Sequence, residues 1–305
     1  MSEVLAKLGN QLPFKRNYIE RNGQQYHYIN EGQGSPVVMV HGNPSWSFYY
    51  RNLVKNLSKD HQCIVPDHIG CGLSDKPSDD EYDYTLTKRI DDLEALLDHL
   101  DVNSNITLVV HDWGGMIGLG YAARHPERIK RLVVLNTAAF HMPSSKSFPF
   151  ALWLGRNTTI GSILVRGFNA FSGLASVIGV KRKPMAKEVR QAYVAPFNSW
   201  TNRISTLRFI QDIPLKPHHR NYQLVSDIAA NLANFEKLPM LICWGLKDFV
   251  FDKHFLAEWQ QRFPNAEVHA FDDCGHYILE DASDEVVPLI NDFLIKTEFL
   301  VTDDK

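Results

Sequence analysis

Cysteine is scarce in this chain. Four residues, Cys63, Cys71, Cys243 and Cys274, lie far apart and never take a CxxC spacing. That argues against a disulfide framework and for free thiols in a reducing, cytoplasmic setting. Neither sign of charge is in excess: 32 Lys and Arg face 35 Asp and Glu, for a net charge of -3. With no Lys/Arg stripe in the linear sequence, nucleic acid is excluded as the expected partner, and a small molecule is expected instead. Long apolar runs are missing too. Met1 to Asn17 is mixed and polar, so it does not read as a signal peptide. Phe148 to Val180 is the most apolar stretch, but Arg156, Asn157, Arg166 and Asn169 interrupt it. It falls short of the roughly 20 apolar residues of a membrane span. No repeat, low-complexity tract or charged linker occurs, and no cofactor or metal is expected.

What is present is a rhythm. Short apolar runs alternate with longer amphipathic segments, the pattern of a mostly parallel sheet flanked by helices. Tyr18–Glu20 and Gln25–Ile29 read as an opening antiparallel pair. Val37–Val40, Cys63–Val65, Ile106–Val110, Leu132–Leu135, Met240–Cys243 and Val268–Phe271 read as buried strands. Thr87–Leu100 carries a helical stripe at Ile90, Leu93, Leu96, Leu97 and Leu100, and Ser283–Leu300 reads as the closing helix. From about Ala138 to Asn221 the rhythm breaks, with no clear strand. The expected organisation is therefore a core of residues 1–137 and 222–305, with 138–221 inserted as a helical cap.

In Leu108-Val109-Val110-His111-Asp112-Trp113-Gly114-Gly115-Met116, an apolar strand runs into Asp112 and two glycines open a helix. Glycine permits a tight strand-to-helix turn that holds residue 112 at the strand's carboxyl end, as in a nucleophile elbow. Val110 and Asp112 stand where that pattern has its first Gly and its Ser. The plain alternative, an Asp that caps the next helix, is common. Two further segments weigh against it. Trp244-Gly245-Leu246-Lys247-Asp248 puts a carboxylate beyond one strand, and Asp273-Cys274-Gly275-His276-Tyr277 puts a histidine beyond the last. The order nucleophile, acid, histidine is that of the α/β-hydrolase fold. Asp248 can orient the His276 imidazole. The loop Val40-His41-Gly42-Asn43-Pro44 follows an early strand, where this fold helps to stabilise a developing anion. Asn43 and the Trp113 indole are neutral donors suited to a leaving halide or carboxylate, although Asn43-Pro44 is also ordinary turn chemistry. An Asp nucleophile narrows the reaction to displacement at saturated carbon, giving an ester.

HGNP at 41–44, HDWGG at 111–115, GHY at 275–277 and Tyr193-Val194-Ala195-Pro196-Phe197 resemble the haloalkane dehalogenase group of α/β-hydrolases over nearly the whole chain. The resemblance implies an eight-stranded, mostly parallel sheet with an inserted helical cap. It also implies Asp112 as nucleophile, His276 as base, Asp248 as acid, and Asn43 with Trp113 as leaving-group donors. Some branches place a Glu acid where this chain reads Asn136-Thr137, so here the acid falls to Asp248. Longer stretches, HGNPSWSFYYR at 41–51, DHIGCGLSDKP at 67–77, NTAAF at 136–140, FVFD at 249–252 and YILEDA at 277–282, are similar to β-lactone decarboxylases of bacterial long-chain olefin biosynthesis. That likeness implies conversion of a cis-3,4-dialkyl β-lactone to a cis-alkene and CO2, and work within a multi-enzyme assembly.

Epoxide hydrolases share DWGG, but resemble HGxP loops with an aromatic at the place of Asn43 and need two cap tyrosines, for which Tyr193 and Tyr222 are the candidates. A ligand receptor on the same fold is the non-enzymatic alternative. Cys274 reads as a space-filling side chain, His218-His219 as a surface pair, and Asp67-His68 as loop structure. Phe148, Phe150, Trp153, Leu154, Phe168, Phe171 and Trp200 are expected mainly in the core, with some lining an alkyl pocket or exposed for a partner enzyme.

Overall fold

The computed structural model describes Leu8 and residues 11–298. Most of the polar N-terminal stretch and the last two residues of the expected closing helix lie outside the described residues. A hairpin of β1 (Asn17–Arg21) and β2 (Gln24–Glu31) opens the chain, followed by β3 (Pro36–Val40), α1 (Arg51–Leu57) and β4 (Gln62–Pro66). Next come α2 (Leu86–His99), β5 (Ile106–Asp112), α3 (Trp113–Arg124) and β6 (Ile129–Thr137). Six α-helices and no strand occupy the described chain between β6 and the next strand. They are α4 (Phe150–Asn157), α5 (Thr159–Phe168), α6 (Ala170–Ile178), α7 (Lys187–Val194), α8 (Ile204–Gln211) and α9 (Tyr222–Asn231). The chain then runs through β7 (Met240–Gly245), α10 (Lys253–Arg262), β8 (Glu267–Phe271), α11 (Ile278–Asp281) and α12 (Ser283–Lys296).

The eight strands form one sheet in the order β1-β2-β4-β3-β5-β6-β7-β8. Only the β1–β2 and β2–β4 pairs are antiparallel; β4 through β8 run parallel. Alternate residues of the central strands serve two cores. Val38, Val40, Leu108, Val110 and Val134 pack with Ile90 and Leu93 of α2, Ile117 of α3 and Trp259 of α10. Val37, Met39, Val109, Val133 and Leu135 pack with Leu53 and Val54 of α1 and Ile290 and Phe293 of α12. Burial on both faces is why these strands read as unbroken apolar runs. It also fixes register, since a one-residue slip would exchange the two cores.

Each expected strand is present, most of them longer by one to three residues at an end, as at Ile129–Arg131 of β6 and Trp244–Gly245 of β7. Helix α2 starts one residue before the expected Thr87, because Thr85 is extended and its hydroxyl accepts from the Lys88 N–H as an N-cap. It stops at His99, and Asp101 turns to φ +55°. Helix α12 ends at Lys296, short of the expected Leu300, where the Thr297 hydroxyl bonds to the Phe293 carbonyl.

The parallel strands β3, β5, β6, β7 and β8 are neighbours, so their carboxyl ends share one edge of the sheet. Loops at such an edge are where open α/β sheets bind ligands.

Candidate active site

Asp112 ends β5 with φ +51° and ψ −125°, a backbone that a side-chain-bearing residue rarely adopts. Such a conformation costs about 1–3 kcal/mol and persists only where the surroundings hold it. They do so here by close packing. A Cβ on Gly114 would overlap the Val40 carbonyl of β3, and one on Gly115 would overlap Thr137 at the end of β6. The glycines thus let α3 start hard against both neighbouring strands. The Thr137 hydroxyl donates to the Asp112 carbonyl. The turn is therefore a consequence of sheet neighbours as well as of local glycine.

Four strand ends meet at this carboxylate. From the β3 end, the Asn43 backbone N–H donates to Asp112 Oδ1 at 2.5 Å, and the Trp113 backbone N–H also donates to the carboxylate. From beyond β8, His276 Nε2 lies 3.9 Å from Asp112 Oδ2. From beyond β7, Asp248 Oδ2 accepts from His276 Nδ1 at 2.8 Å, which places the imidazole hydrogen on Nδ1 and leaves Nε2 facing Asp112. All four side chains are buried. Asn43 is partly engaged: its Nδ2 donates to the Thr206 carbonyl at 3.1 Å, leaving one N–H of the amide. The Trp113 indole N–H makes no hydrogen bond among the described residues, and both side chains line the adjoining cavity.

Three supports escaped the sequence reading. Asn136, at φ +31°, donates to Asp248 Oδ2 at 3.1 Å while clasping the Gly245 backbone through both amide atoms, at 2.8 and 3.0 Å. Its side chain thus holds the carboxylate that faces His276. Val250 N–H fixes Asp248 Oδ1 at 2.8 Å. His111 Nε2 donates to the His276 carbonyl at 2.9 Å and so steadies that loop. Asp67 and His68 are scaffolding, as expected. Asp67 receives the N–H groups of Ser47 and Leu73 and the His27 ring, and burial of that carboxylate is outweighed by His27, which holds it well below the usual range. His68 braces His41 through two hydrogen bonds, of 3.1 and 2.9 Å, and thereby the loop bearing Asn43.

Burial raises the Asp112 carboxyl to about 6, against the pull of His276 and the Asn43 and Trp113 N–H groups. Burial pulls His276 down, but the charge and hydrogen bond of Asp248, with Asp112, outweigh it and hold the imidazole above its usual value. The first shift carries a stability consequence. An acid whose folded pKa is raised binds protons more tightly folded than unfolded, so the protein loses stability as pH rises from 3.8 to about 6. At neutral pH the loss is about 3 kcal/mol. Asp112→Asn is accordingly expected to raise the melting temperature by several degrees at pH 7. The gain shrinks as pH falls toward 4, and thermal melts at the two pH values check this.

The carboxylate opens on a cavity of about 270 Å³. Met116, Phe140, Leu152, Phe171, Ile210 and Phe255 are among the apolar residues of its wall, and Asn43, Asp112, Trp113 and His276 line it together. No tyrosine lines it: Tyr193 is buried and donates to Glu280 at 2.6 Å, and Tyr222 stacks on His141. The cap tyrosines required for epoxide opening are therefore not at the cavity. Phe148 and Phe171 do line it, but Phe150, Trp153, Phe168 and Trp200 are exposed, contrary to the expectation of core positions. Cys274 is buried in the core beside α11 and is free, as are Cys63, Cys71 and Cys243. His218 is exposed, and His219 Nδ1 closes a turn by accepting from the Leu215 and Lys216 N–H groups.

A buried carboxylate between two backbone donors, with an oriented imidazole and an apolar cavity, can attack carbon and release an anion. Comparison with known proteins gives that chemistry relatives. The family model described as alpha/beta hydrolase fold matches residues 35–283. The chain is 73% identical to the cis-3-alkyl-4-alkyloxetan-2-one decarboxylase of Shewanella oneidensis over 95% of its length and 92% of that protein's. It is 32% identical to a haloalkane dehalogenase of Mycolicibacterium paratuberculosis, covering 91% of this chain and 92% of that protein. Among solved structures, the haloalkane dehalogenase DatA of Agrobacterium tumefaciens C58 superposes with a TM-score of 0.82 at 25% identity, over 93% of this chain and 97% of DatA.

Proposed function

The chain belongs to the alpha/beta hydrolase fold family, in the group that joins the cis-3-alkyl-4-alkyloxetan-2-one decarboxylases to the haloalkane dehalogenases, and we propose from this that it decarboxylates cis-3,4-dialkyl β-lactones to cis-alkenes. The observation that carries the reading is an aspartate, with Oδ1 held by Asn43 and Oδ2 beside His276, facing a mostly apolar cavity.

In this mechanism Asp112 Oδ2 attacks the ring carbon that bears oxygen, from the side opposite that oxygen. The ring C–O bond breaks, its electron pair leaves on the lactone oxygen, and an aspartyl ester forms. The freed carboxylate is received by the Asn43 amide and the Trp113 indole, which stabilise charge without neutralising it. The C–C bond to that carboxylate then breaks, releasing CO2, and its electrons form the alkene as the Asp112 C–O bond breaks. Asp112 returns as carboxylate; neither water nor a proton is consumed. Inversion in the first step and anti departure in the second cancel, so a cis lactone gives a cis alkene. His276, oriented by Asp248, keeps positive potential beside Asp112 so that the nucleophile stays ionised despite its burial.

Residues 138–221 act as a cap that closes the alkyl pocket over the sheet edge. The wider reading places the protein in the cytoplasm, in long-chain olefin biosynthesis, beside the enzymes that make its lactone. Haloalkane dehalogenation is the second reading, favoured by the same pair of leaving-group donors. Gas chromatography of products from purified protein and a cis-dialkyl β-lactone decides between them. The expected result is cis-alkene from the wild type and none from Asp112→Ala. Intact lactone alongside halide release from haloalkanes would reverse the assignment.

A further inference from the structure

Three of the helices between β6 and β7, α4, α5 and α6, turn large apolar side chains outward. In α5 the buried side is Gly161 and Val165, whereas Ile160, Ile163, Leu164 and Phe168 face outward, with Ile160 66% and Phe168 75% exposed. The cause is local: Gly161 lies so close to the Leu154 carbonyl of α4 that a Cβ there would overlap it, so the small side of the helix seats and the large side stands out. Leu174 and Val177 continue the outward stripe along α6, and Phe150 and Trp153 stack at a centroid distance of 6.0 Å on α4. Nine of the twelve large apolar residues exposed among the described residues fall between Phe150 and Trp200. Scattered exposed apolar side chains need no explanation, but a concentration of this kind marks an interaction surface.

Charge says what the surface faces. Residues 138–221 contain 12 Lys and Arg against two acids, Glu188 and Asp212, in a chain whose net charge is -3. The excess is spread through the segment, and its longest run is Lys181-Arg182-Lys183. Arg166 lies over the Trp200 ring at 4.6 Å. The ammonium groups of Lys181 and Lys183, exposed just past the end of α6, form no ion pair among the described residues, although the Lys181 backbone N–H is held by the Asp281 carboxylate. Apolar side chains and tryptophans edged by unpaired cations match the boundary of an anionic bilayer. Geometry gives the manner of contact. Helices α5 and α6 have 10 and 9 residues, about 15 Å each, and meet at a bend of 72°. Neither reaches across a hydrocarbon core of about 30 Å, so the contact that suits them is one along the interfacial plane. Leu174 and Phe249 are exposed and also line the cavity, so the cavity opens beside this face.

We propose that the outer face of α4, α5 and α6 docks on an anionic lipid surface, and, taking the lactone reading as given, that dialkyl substrate passes from the acyl chains directly into the cavity. The test is flotation of the purified full chain with vesicles of phosphatidylglycerol and phosphatidylethanolamine, against vesicles of phosphatidylcholine alone. The chain is expected to float with the anionic vesicles only and to detach at high salt. Ile160→Ser, Ile163→Ser and Phe168→Ser together are expected to weaken vesicle binding by at least about tenfold. Lys181→Gln with Lys183→Gln is expected to do so by about tenfold with the apolar face intact, which reads the same contact if the triple variant does not fold. Failure to float with anionic vesicles, or flotation unchanged by either set, overturns the proposal. So does a change in oligomeric state of the triple variant without vesicles, which would assign the face to a second copy of the chain. Flotation reads the surface independently of substrate, so its failure is distinct from a failure of the lactone assignment.

Discussion

Asp112→Ala is expected to form alkene at less than about one ten-thousandth of the wild-type rate, measured by gas chromatography under single-turnover conditions. Among the described residues no other carboxylate lines the cavity, so none is placed to form the ester instead. The apolar wall, Asn43, Trp113 and His276 all remain, so lactone still binds, and the loss falls on kcat rather than on KM. The same carboxylate sets the acid limb of the wild type. In the proposed mechanism only ionised Asp112 attacks, and burial raises its pKa to about 6. Activity therefore falls about tenfold per unit as pH drops below that point. An ordinary surface aspartate would keep activity flat to about pH 4. A limb near 4 would mean that His276 and the backbone donors offset the burial of Asp112 almost completely.

How much of this was readable before the fold depended on distance along the chain. Asp112 was legible because strand, acid, tryptophan and two glycines are consecutive, and the physics of the turn lies within that stretch. Asp248 and His276 were legible because each closely follows a buried strand, and strands declare themselves by composition. Asn136 was noticed only as the place of a missing acid. Its grip on Asp248 spans 112 residues and exists because β6 and β7 are neighbours in the sheet. No local pattern encodes that adjacency. The same holds for His111, whose partner is 165 residues away.

The exposed helices failed for a different reason. An apolar stripe at helical spacing is ordinarily the face that packs. In α5 the tight seat at Gly161 outweighs that preference, because backbone contact with α4 admits no larger side chain there. Total charge concealed the second half of the feature: a net charge of -3 is the near-cancellation of a basic segment and an acidic remainder. Both signals were in the sequence, but each was averaged away by the window used to read it.

His276→Phe separates the two proposed reactions most sharply, because they differ in how Asp112 is regenerated. An ester made from a haloalkane has no neighbouring carboxylate, so it can leave only by hydrolysis. Water must attack the Asp112 carbonyl carbon, activated by His276 Nε2, while the Asn43 and Trp113 N–H groups receive the oxyanion. Removing the base is expected to slow that step by about 10²–10⁴, and intact-protein mass spectrometry is expected to find Asp112 alkylated. An ester made from a β-lactone carries the carboxylate that expels CO2, and its Asp112 C–O bond breaks on the alkyl side without water. The same variant is therefore expected to go on releasing alkene with no ester accumulating. Its acid limb moves to higher pH, because His276 is the largest influence holding the Asp112 pKa down. Heavy-oxygen water gives the complementary reading in the wild type. Repeated haloalkane turnover is expected to place label in Asp112, whereas lactone turnover leaves it unlabelled. Label in Asp112 after lactone turnover, or a lactone-derived ester trapped in His276→Phe, would mean that water is required for release, and the elimination step would have to be abandoned.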